Sequence, residues 1–178
     1  MTKQNFPRII ILLLLCGITY LALSFLPSKN TRTIHNIQYV VGKIHLLNNE
    51  DRQTLNVDIA TTPAAHDQGL MHQKEWGKVE IIPFIFDLEL KGMLFIFDKE
   101  IVRNFWMKNT HLPLDIIFFD ARGQLVHIAR HATPFSQELI PSLLPAQYVL
   151  ELPAGDAAAR NLTGDSRLDL QSLQKLLP

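Results

Sequence analysis

The chain has 178 residues, and its 17 Lys and Arg residues balance its 17 Asp and Glu residues, so the formal net charge is zero. Nucleic-acid binding needs a clustered basic face that displaces counterions, and the sequence contains no such cluster, so no nucleic-acid partner is expected. The single cysteine, Cys16, excludes an intramolecular disulfide. Because Cys16 lies in an N-terminal apolar run, cysteine or zinc-thiolate chemistry is also excluded for the rest of the chain.

The apolar run extends from Ile9 to Leu26 and follows two cations, Lys3 and Arg8. A run of about 18 apolar residues is at the lower limit for spanning a bilayer. Residues 1–27 are therefore predicted to be a transmembrane signal anchor, with the membrane as partner and the domain on the periplasmic or cell-surface side. The alternative is a cleaved signal peptide, which would make the protein secreted.

The remainder is predicted to be a polar linker over residues 28–36 and a single globular domain over 37–178. Phe- and Ile-rich segments with alternating polarity predict strands, and Thr62 followed by Pro63 predicts the start of a helix. A second short helix is predicted after Pro153. The predicted fold is mainly β (α+β), a compact antiparallel sheet or partly closed barrel with two short helices. The predicted strands cover residues 37–47, 55–60, 93–97, 104–108, 114–119, 124–131 and 148–152, and residues 167–170 are a further candidate strand that would close the sheet.

The segment from Lys74 to Lys91 is rich in Ile, Leu and Phe and interrupts the domain. One interpretation is an exposed apolar flap that touches lipid or a partner. The other is an additional hairpin or helix folded onto the domain, since buried apolar residues need no further explanation.

The candidate ligand-binding residues lie in a short polar stretch: Trp106, Lys108, Asn109 and Thr110. In a strand over residues 104–108, Trp106 and Lys108 would share one face. A large aromatic ring beside a cation and two hydrogen-bonding groups is typical of the edge of a pocket.

Lys108 and Asp115 are the candidate catalytic residues. If residues 105–108 and 115–119 pair as a hairpin, Lys108 lies opposite Asp115, and the favoured interpretation is a structural ion pair. A functional interpretation makes Asp115 a general base and Lys108 a pocket cation.

Three methionines, Met71, Met93 and Met107, together with several histidines, raise the alternative of copper binding. Each methionine lies among Leu or Phe, so core packing is the favoured interpretation. No cofactor or metal site is therefore predicted.

Several motifs occur in a characteristic order and resemble the family called domain of unknown function 192. They are Gly69-Leu-Met71, Gly92-Met-Leu-Phe95, Phe105-Trp-Met-Lys-Asn-Thr110, Pro113-Leu-Asp-Ile-Ile-Phe118 and Val149-Leu-Glu-Leu-Pro-Ala-Gly155. The resemblance covers roughly residues 40–170, and it implies a small β-rich domain that often follows a signal or anchor segment. It implies no established activity. This chain departs from the family pattern at His72 and Gln73, where a basic residue is usual, and in the long insertion at 74–91.

The sequence leaves two functions open. The first is a membrane-tethered extracytoplasmic domain that binds a small ligand or an envelope protein at the edge formed by Trp106 and Lys108. The second is a cell-envelope enzyme, a hydrolase or lyase, with Asp115 as its base.

Overall fold

A computed structural model describes residues 31–49, 51–76, 78–82, 86–89 and 92–176. The predicted N-terminal helix over residues 1–27 lies outside these ranges. Within them, none of the helices has the length and apolar character needed to cross a bilayer.

The described residues form twelve strands and three short helices. The strands are β1 (Thr31–Ile34), β2 (Ile37–Asn48), β3 (Asp51–Ala60), β4 (Lys78–Ile82), β5 (Phe86–Glu89), β6 (Gly92–Ile101), β7 (Asn104–Phe105), β8 (Leu114–Phe119), β9 (Leu125–Ala132), β10 (Ile140–Pro141), β11 (Ala146–Pro153) and β12 (Arg167–Leu168). The helices are α1 (Pro63–Gln68), α2 (Asp156–Ala159) and α3 (Leu170–Gln174).

Eight strands form the main sheet, in the order β1-β2-β3-β6-β11-β8-β9, with β12 paired to β2. The mainly β class is confirmed, but three details differ from the prediction. The sheet is mixed, because β3 and β6 are parallel; in the described residues it does not close into a barrel; and there are three helices instead of two. Parallel neighbours require a long crossover, and the chain between β3 and β6 supplies one that contains α1, β4 and β5.

The segment expected to be a linker contains a strand. β1 pairs with β2 antiparallel, from Thr31 opposite Val40 to Ile34 opposite Ile37. The turn between them places His35 and Asn36 at positive φ, 47° and 65°, the backbone of a tight hairpin. The sequence has no glycine at this turn and only one large apolar residue in β1, so the hairpin carried no strong local signal.

The two faces of the sheet carry separate hydrophobic clusters. One cluster includes Met93, Phe95 and Phe118, and the other includes Leu94, Ile117 and Leu150. This division follows from the alternation of side chains along each strand. The face that carries Met93 and Phe95 is called here the cavity face, because the candidate site lies on it.

β8 confirms the prediction of a central strand: all six of its residues are buried, and it lies between β11 and β9. The predicted turn at Asp120–Gly123 is also confirmed, with Gly123 at φ 79° and the Asp120 amide donating to the Gln124 carbonyl over 2.9 Å. The predicted strand at 104–108 is shorter, and its partner is β10, not β8. The predicted hairpin over residues 105–119 is therefore wrong.

The insertion contains a two-stranded antiparallel hairpin, β4 with β5, separate from the main sheet. The segment therefore contains a hairpin, and its packing onto the domain stays a prediction. Contact of this segment with lipid or a partner stays a prediction.

Candidate functional site

The predicted ligand-binding residues lie in the loop between β7 and β8. Trp106 is 43% exposed, whereas Met107 and Thr110 are buried. The Lys108 ammonium lies 5.0 Å from the centroid of the Trp106 ring, a distance at which the cation and the π system attract each other. Trp106 and Lys108 are thus neighbours, as predicted, although a turn rather than a regular strand brings them together.

Distant parts of the chain fix the shape of this loop. The His72 amide donates to the Asn109 carbonyl over 2.8 Å, and the Met107 amide donates to the Ser136 carbonyl over 3.0 Å. Asn109 has φ 56°, a left-handed conformation that Asn adopts more readily than most residues. The loop is therefore held between the Gly69-Leu-Met71 turn and the segment after β9.

A cavity of about 360 Å³ opens on the cavity face between α1 and this loop. Residues 66–71 form one wall, Asn104, Phe105 and Trp106 form the other, and Phe95, Phe97, Thr110 and Glu151 complete the lining. Of the predicted ligand-binding residues, Trp106 and Thr110 line the cavity, whereas Lys108 and Asn109 do not.

The first wall begins at α1, whose N-terminus is capped as the sequence predicted. The Thr62 hydroxyl accepts from the Ala65 amide over 3.2 Å, and Pro63 is the first helical residue. The helix ends at Gly69, which has φ 45°. A Cβ atom at Gly69 would lie 3.3 Å from the Phe95 ring, so glycine lets the backbone approach the aromatic lining.

His66 connects this wall to the main sheet. Its Nε2 atom lies 3.1 Å from the Ala60 carbonyl oxygen and 3.1 Å from the Ile96 carbonyl oxygen. Both oxygens only accept, so Nε2 carries the hydrogen. The imidazole also packs on Phe97, with ring centroids 4.2 Å apart. In this orientation Nε2 donates to the backbone of the sheet and is not available to a ligand.

Glu151 is the most unusual residue of the lining. It is only 5% exposed, and its Oε2 atom has no hydrogen-bond partner within the described part of the chain. Burial disfavours the charged carboxylate and raises the pKa of Glu151 to about 8. The carboxyl group is therefore mainly protonated at neutral pH.

A second buried carboxyl lies on the same face. Asp58 aligns with Met93, and Met93 aligns with Glu151, which separates the two acidic residues by two strand spacings, about 10 Å. Arg32 in β1 donates to the Asp58 carboxylate over 2.6 Å. Burial raises the pKa of Tyr39 to about 12, and the charges of Asp58 and Glu151 add to that rise.

Asp115 does not pair with Lys108. It aligns with Leu152 in β11, is fully buried, and faces away from the cavity. Its Oδ1 atom accepts from the His131 amide over 2.9 Å, and its Oδ2 atom accepts from the Gly155 and Ala157 amides over 2.9 and 3.0 Å. The predicted ion pair is corrected, and the geometry favours a structural role over a general base.

The methionines lie mainly in the core. Met93 and Met107 are completely buried in the cluster of the cavity face, and Met71 lines the cavity. Packing among apolar side chains accounts for Met93 and Met107, as the sequence favoured.

A family model named DUF192 and described as "Uncharacterized ACR" matches residues 45–170. This match covers more than half of the chain. The chain belongs to the DUF192 family. The resemblance found in the sequence motifs is therefore confirmed.

Two solved structures resemble this DUF192 protein. A proposed transcription regulator from Sinorhizobium meliloti 1021 is 32% identical, with a TM-score of 0.63, and the match covers 74% of this chain and 94% of that one. A protein of unknown function from Novosphingobium aromaticivorans DSM 12444 is 26% identical, with a TM-score of 0.65, covering 80% and 93%. No curated protein is significantly similar to the chain.

Sequence reasoning missed the acidic residues of the cavity face. Glu151 and Asp58 each interrupt a strand that is otherwise apolar at that point, in Val149-Leu-Glu-Leu152 and Val57-Asp-Ile59. Apolar neighbours on both sides in a central strand indicate that the acidic residue is buried, and Asp and Glu are almost never fully buried unless they are paired. That pattern was the available signal.

Proposed function

We propose that this DUF192 domain binds a small organic ligand in the cavity beside Trp106. The observation that carries the proposal is Glu151, a buried carboxyl that lines the cavity and whose Oε2 atom has no partner among the described residues. Leaving a buried polar group unsatisfied costs roughly 1–3 kcal/mol. A ligand that bonds to Glu151 would recover that free energy.

The size and lining of the cavity support this proposal. Its volume of about 360 Å³ falls in the range of about 300–1,000 Å³ that small-molecule sites occupy. Phe95, Phe97, Phe105 and Trp106 supply aromatic surface, and Asn104, Thr110 and Glu151 supply polar groups. Apolar walls with a few polar groups are typical of a ligand site.

The proposal places the domain outside the cytoplasm, tethered by the apolar run from Ile9 to Leu26. That run and its flanking cations are the support for the tether. Protease treatment of intact cells tests this placement: digestion of the domain without lysis is the expected result, and protection until lysis would contradict it.

Binding is tested by the fluorescence of Trp106. The chain has two tryptophans, so the substitution Trp76→Phe leaves Trp106 as the reporter at the rim of the cavity. A library of small amines, alcohols and carboxylates is titrated against this variant. A saturable change in emission with at least one compound is the expected result.

A matched pair of variants shows whether the signal comes from the cavity. Phe105→Leu shortens an aromatic wall and should weaken binding at least tenfold. Phe135→Leu alters an exposed ring, 54% accessible, that does not line the cavity, and should leave binding unchanged. Equal affinities in the two variants would place the ligand elsewhere.

An envelope enzyme is a second candidate, with Glu151 rather than Asp115 as the proton-transferring group. A carboxyl in a cleft with a pKa of about 8 is protonated where ordinary carboxyls are not, which suits a general acid. Incubation of bound compounds with the protein, followed by mass spectrometry, separates the two candidates. Recovery of unchanged compound supports binding alone.

Nucleic-acid binding is not proposed for this chain. The net charge of this chain is zero, and its sequence has no basic cluster of the kind that phosphate contacts require.

A further inference from the structure

We infer that the ligand of this cavity is an organic cation, a protonated amine with an apolar body, whose ammonium group pairs with Glu151. This inference rests on the proposed function and specifies its ligand class. Two properties of the described lining favour a cation over a neutral or anionic ligand: its aromatic rings, and acidic side chains without Lys or Arg, among them Glu151 with its unpartnered oxygen.

The titratable side chains that line the cavity are mainly acidic. Among the described residues of the lining, Asp67 and Glu151 are acidic, His66 is the one basic side chain, and neither Lys nor Arg occurs. His66 already commits Nε2 to two carbonyl oxygens of the sheet. A carboxylate or phosphate ligand would therefore find neither Lys nor Arg in the described lining to balance its charge.

The cations near the cavity already contact other groups. Arg32 donates to the Asp58 carboxylate over 2.6 Å. The Arg103 Nε atom donates to the Ala146 carbonyl over 2.9 Å, and the Arg103 guanidinium lies over the Phe97 ring, 3.5 Å from its centroid. Lys108 lies 5.0 Å from the Trp106 ring. Arg32 balances only one of the two acidic groups, Asp58 and Glu151, so an ionised Glu151 lacks a counter-charge.

The aromatic lining suits an ammonium ion with an apolar body. Phe95 and Phe105 meet edge to face with centroids 5.2 Å apart, and Trp106 extends this surface. Aromatic faces attract organic cations. Trp106 already attracts one cation at the rim, the ammonium group of Lys108.

The Glu151 carboxyl changes its protonation state when the cation binds. Without ligand the group is protonated, because burial raises its pKa to about 8. The titratable and charged groups that share its face or line the cavity with it are Arg32, Tyr39, Asp58, His66, Asp67 and His127. When an ammonium ion enters, the Glu151 carboxyl loses its proton to bulk water and the carboxylate pairs with the cation.

The inference is tested by calorimetry on the full chain in detergent micelles, with micelles alone as the blank. The three probes share a phenyl group and differ in charge: 2-phenylethylammonium, 2-phenylethanol and 3-phenylpropionate. We expect the ammonium compound to bind at least tenfold more tightly than the alcohol, and the carboxylate to bind more weakly than either.

Proton release identifies the group that pairs with the cation. At pH 7, a carboxyl with a pKa of about 8 is roughly nine-tenths protonated, so binding should release nearly one proton per ligand. Titrations in phosphate and in Tris, which differ in ionisation enthalpy, measure this number. Affinity for the ammonium probe should rise up to about tenfold per pH unit between pH 6 and 7.5.

Glu151→Gln keeps the shape of the side chain and removes the acid. It should weaken binding of the ammonium probe at least tenfold and abolish proton release. Glu138→Gln removes an exposed acid outside the cavity and should change neither. A circular dichroism melt of each variant checks that it is folded.

Two results would overturn the inference in distinguishable ways. Tighter binding of 2-phenylethanol, without proton release, would show a ligand-binding cavity that takes neutral compounds. No saturable binding of any probe, together with no hit in the fluorescence library, would reject both the cation and the proposed binding function.

Discussion

Trp106 and Met107 are neighbours in the sequence with opposite environments. Trp106 is 43% exposed and Met107 is completely buried. We predict that Met107→Ala lowers the free energy of unfolding by roughly 2–5 kcal/mol, whereas Trp106→Ala lowers it by roughly 1–2 kcal/mol because much of its ring already contacts water. Urea unfolding of the two variants measures the difference. A larger loss for Trp106→Ala would mean that its ring belongs to the core instead of the rim.

Glu151 should make the stability of the protein depend on pH. Its folded pKa is about 8 against an ordinary value of 4.5, so between these values the folded state holds a proton that the unfolded state has lost. The associated stability is fully present below pH 4.5 and is lost as the pH rises through 8, by up to roughly 1.4 kcal/mol per pH unit. Unfolding free energies at pH 5, 6, 7 and 8 should show this slope in the wild type and in Glu138→Gln, but not in Glu151→Gln. Parallel curves for Glu151→Gln and wild type would contradict the prediction.

Among the residues that line the cavity, the sequence predicted Trp106 and Thr110 but not Glu151. Trp106 and Thr110 stood out because a large aromatic and a hydroxyl shared a short polar stretch, and both line the cavity. Glu151 was not singled out as a site residue, because its environment depends on β6 and β8 on either side of β11. The apolar neighbours of Glu151 in the sequence indicated burial, but they did not show which strands pack beside it or that a cavity lies there.

Asp115 connects three elements: β8, the end of β9 and the start of α2. Its carboxylate accepts the amides of His131, Gly155 and Ala157, and no side chain of α2 itself caps that helix. We predict that Asp115→Asn lowers the free energy of unfolding by roughly 2–4 kcal/mol, because an amide nitrogen cannot accept from a buried N–H group. Ligand affinity should stay unchanged in the folded fraction.

Asp156→Asn is the matched control on the same helix. Asp156 forms a partly exposed ion pair with Arg160 at 3.4 Å, and such pairs contribute about 1 kcal/mol or less. Thermal melts of the two variants give the comparison. Loss of ligand binding or activity in a stable Asp115→Asn protein would restore the interpretation of Asp115 as a functional residue.

The elements with strong local patterns were predicted, and the elements defined by distant contacts were not. β8 is apolar at nearly every position and is followed by an Asp-Ala-Arg-Gly turn, so both were clear from the sequence. β7 has only two residues, and its partner is β10, more than thirty residues later. A symmetric hairpin around Asn109 and Leu114 was the simplest local pairing, and the long-range pairing replaced it.

β1 supplies the cation that balances a buried acid on the cavity face. β1 forms the edge of the main sheet and brings Arg32 to Asp58, with side chains only 19% and 2% exposed. Removal of one partner of a buried ion pair leaves an uncompensated charge and costs roughly 3–5 kcal/mol. The segment that the sequence indicated as a linker therefore contributes directly to folding.

We predict that a fragment from Ser28 onward folds cooperatively without the N-terminal run, and that a fragment from Asn36 onward is less stable by roughly 3–5 kcal/mol. Arg32→Gln in the longer fragment separates the ion pair from the strand, since it removes the charge and keeps the pairing of β1 with β2. Most of the loss should appear in this variant, because Asp58 is then buried without its counter-charge. Urea unfolding at pH 7 measures all three proteins. If Arg32→Gln were as stable as the fragment from Ser28, the backbone pairing of β1 rather than Arg32 would account for the loss. If neither shortened fragment unfolded cooperatively, the domain would require its N-terminal segment to fold.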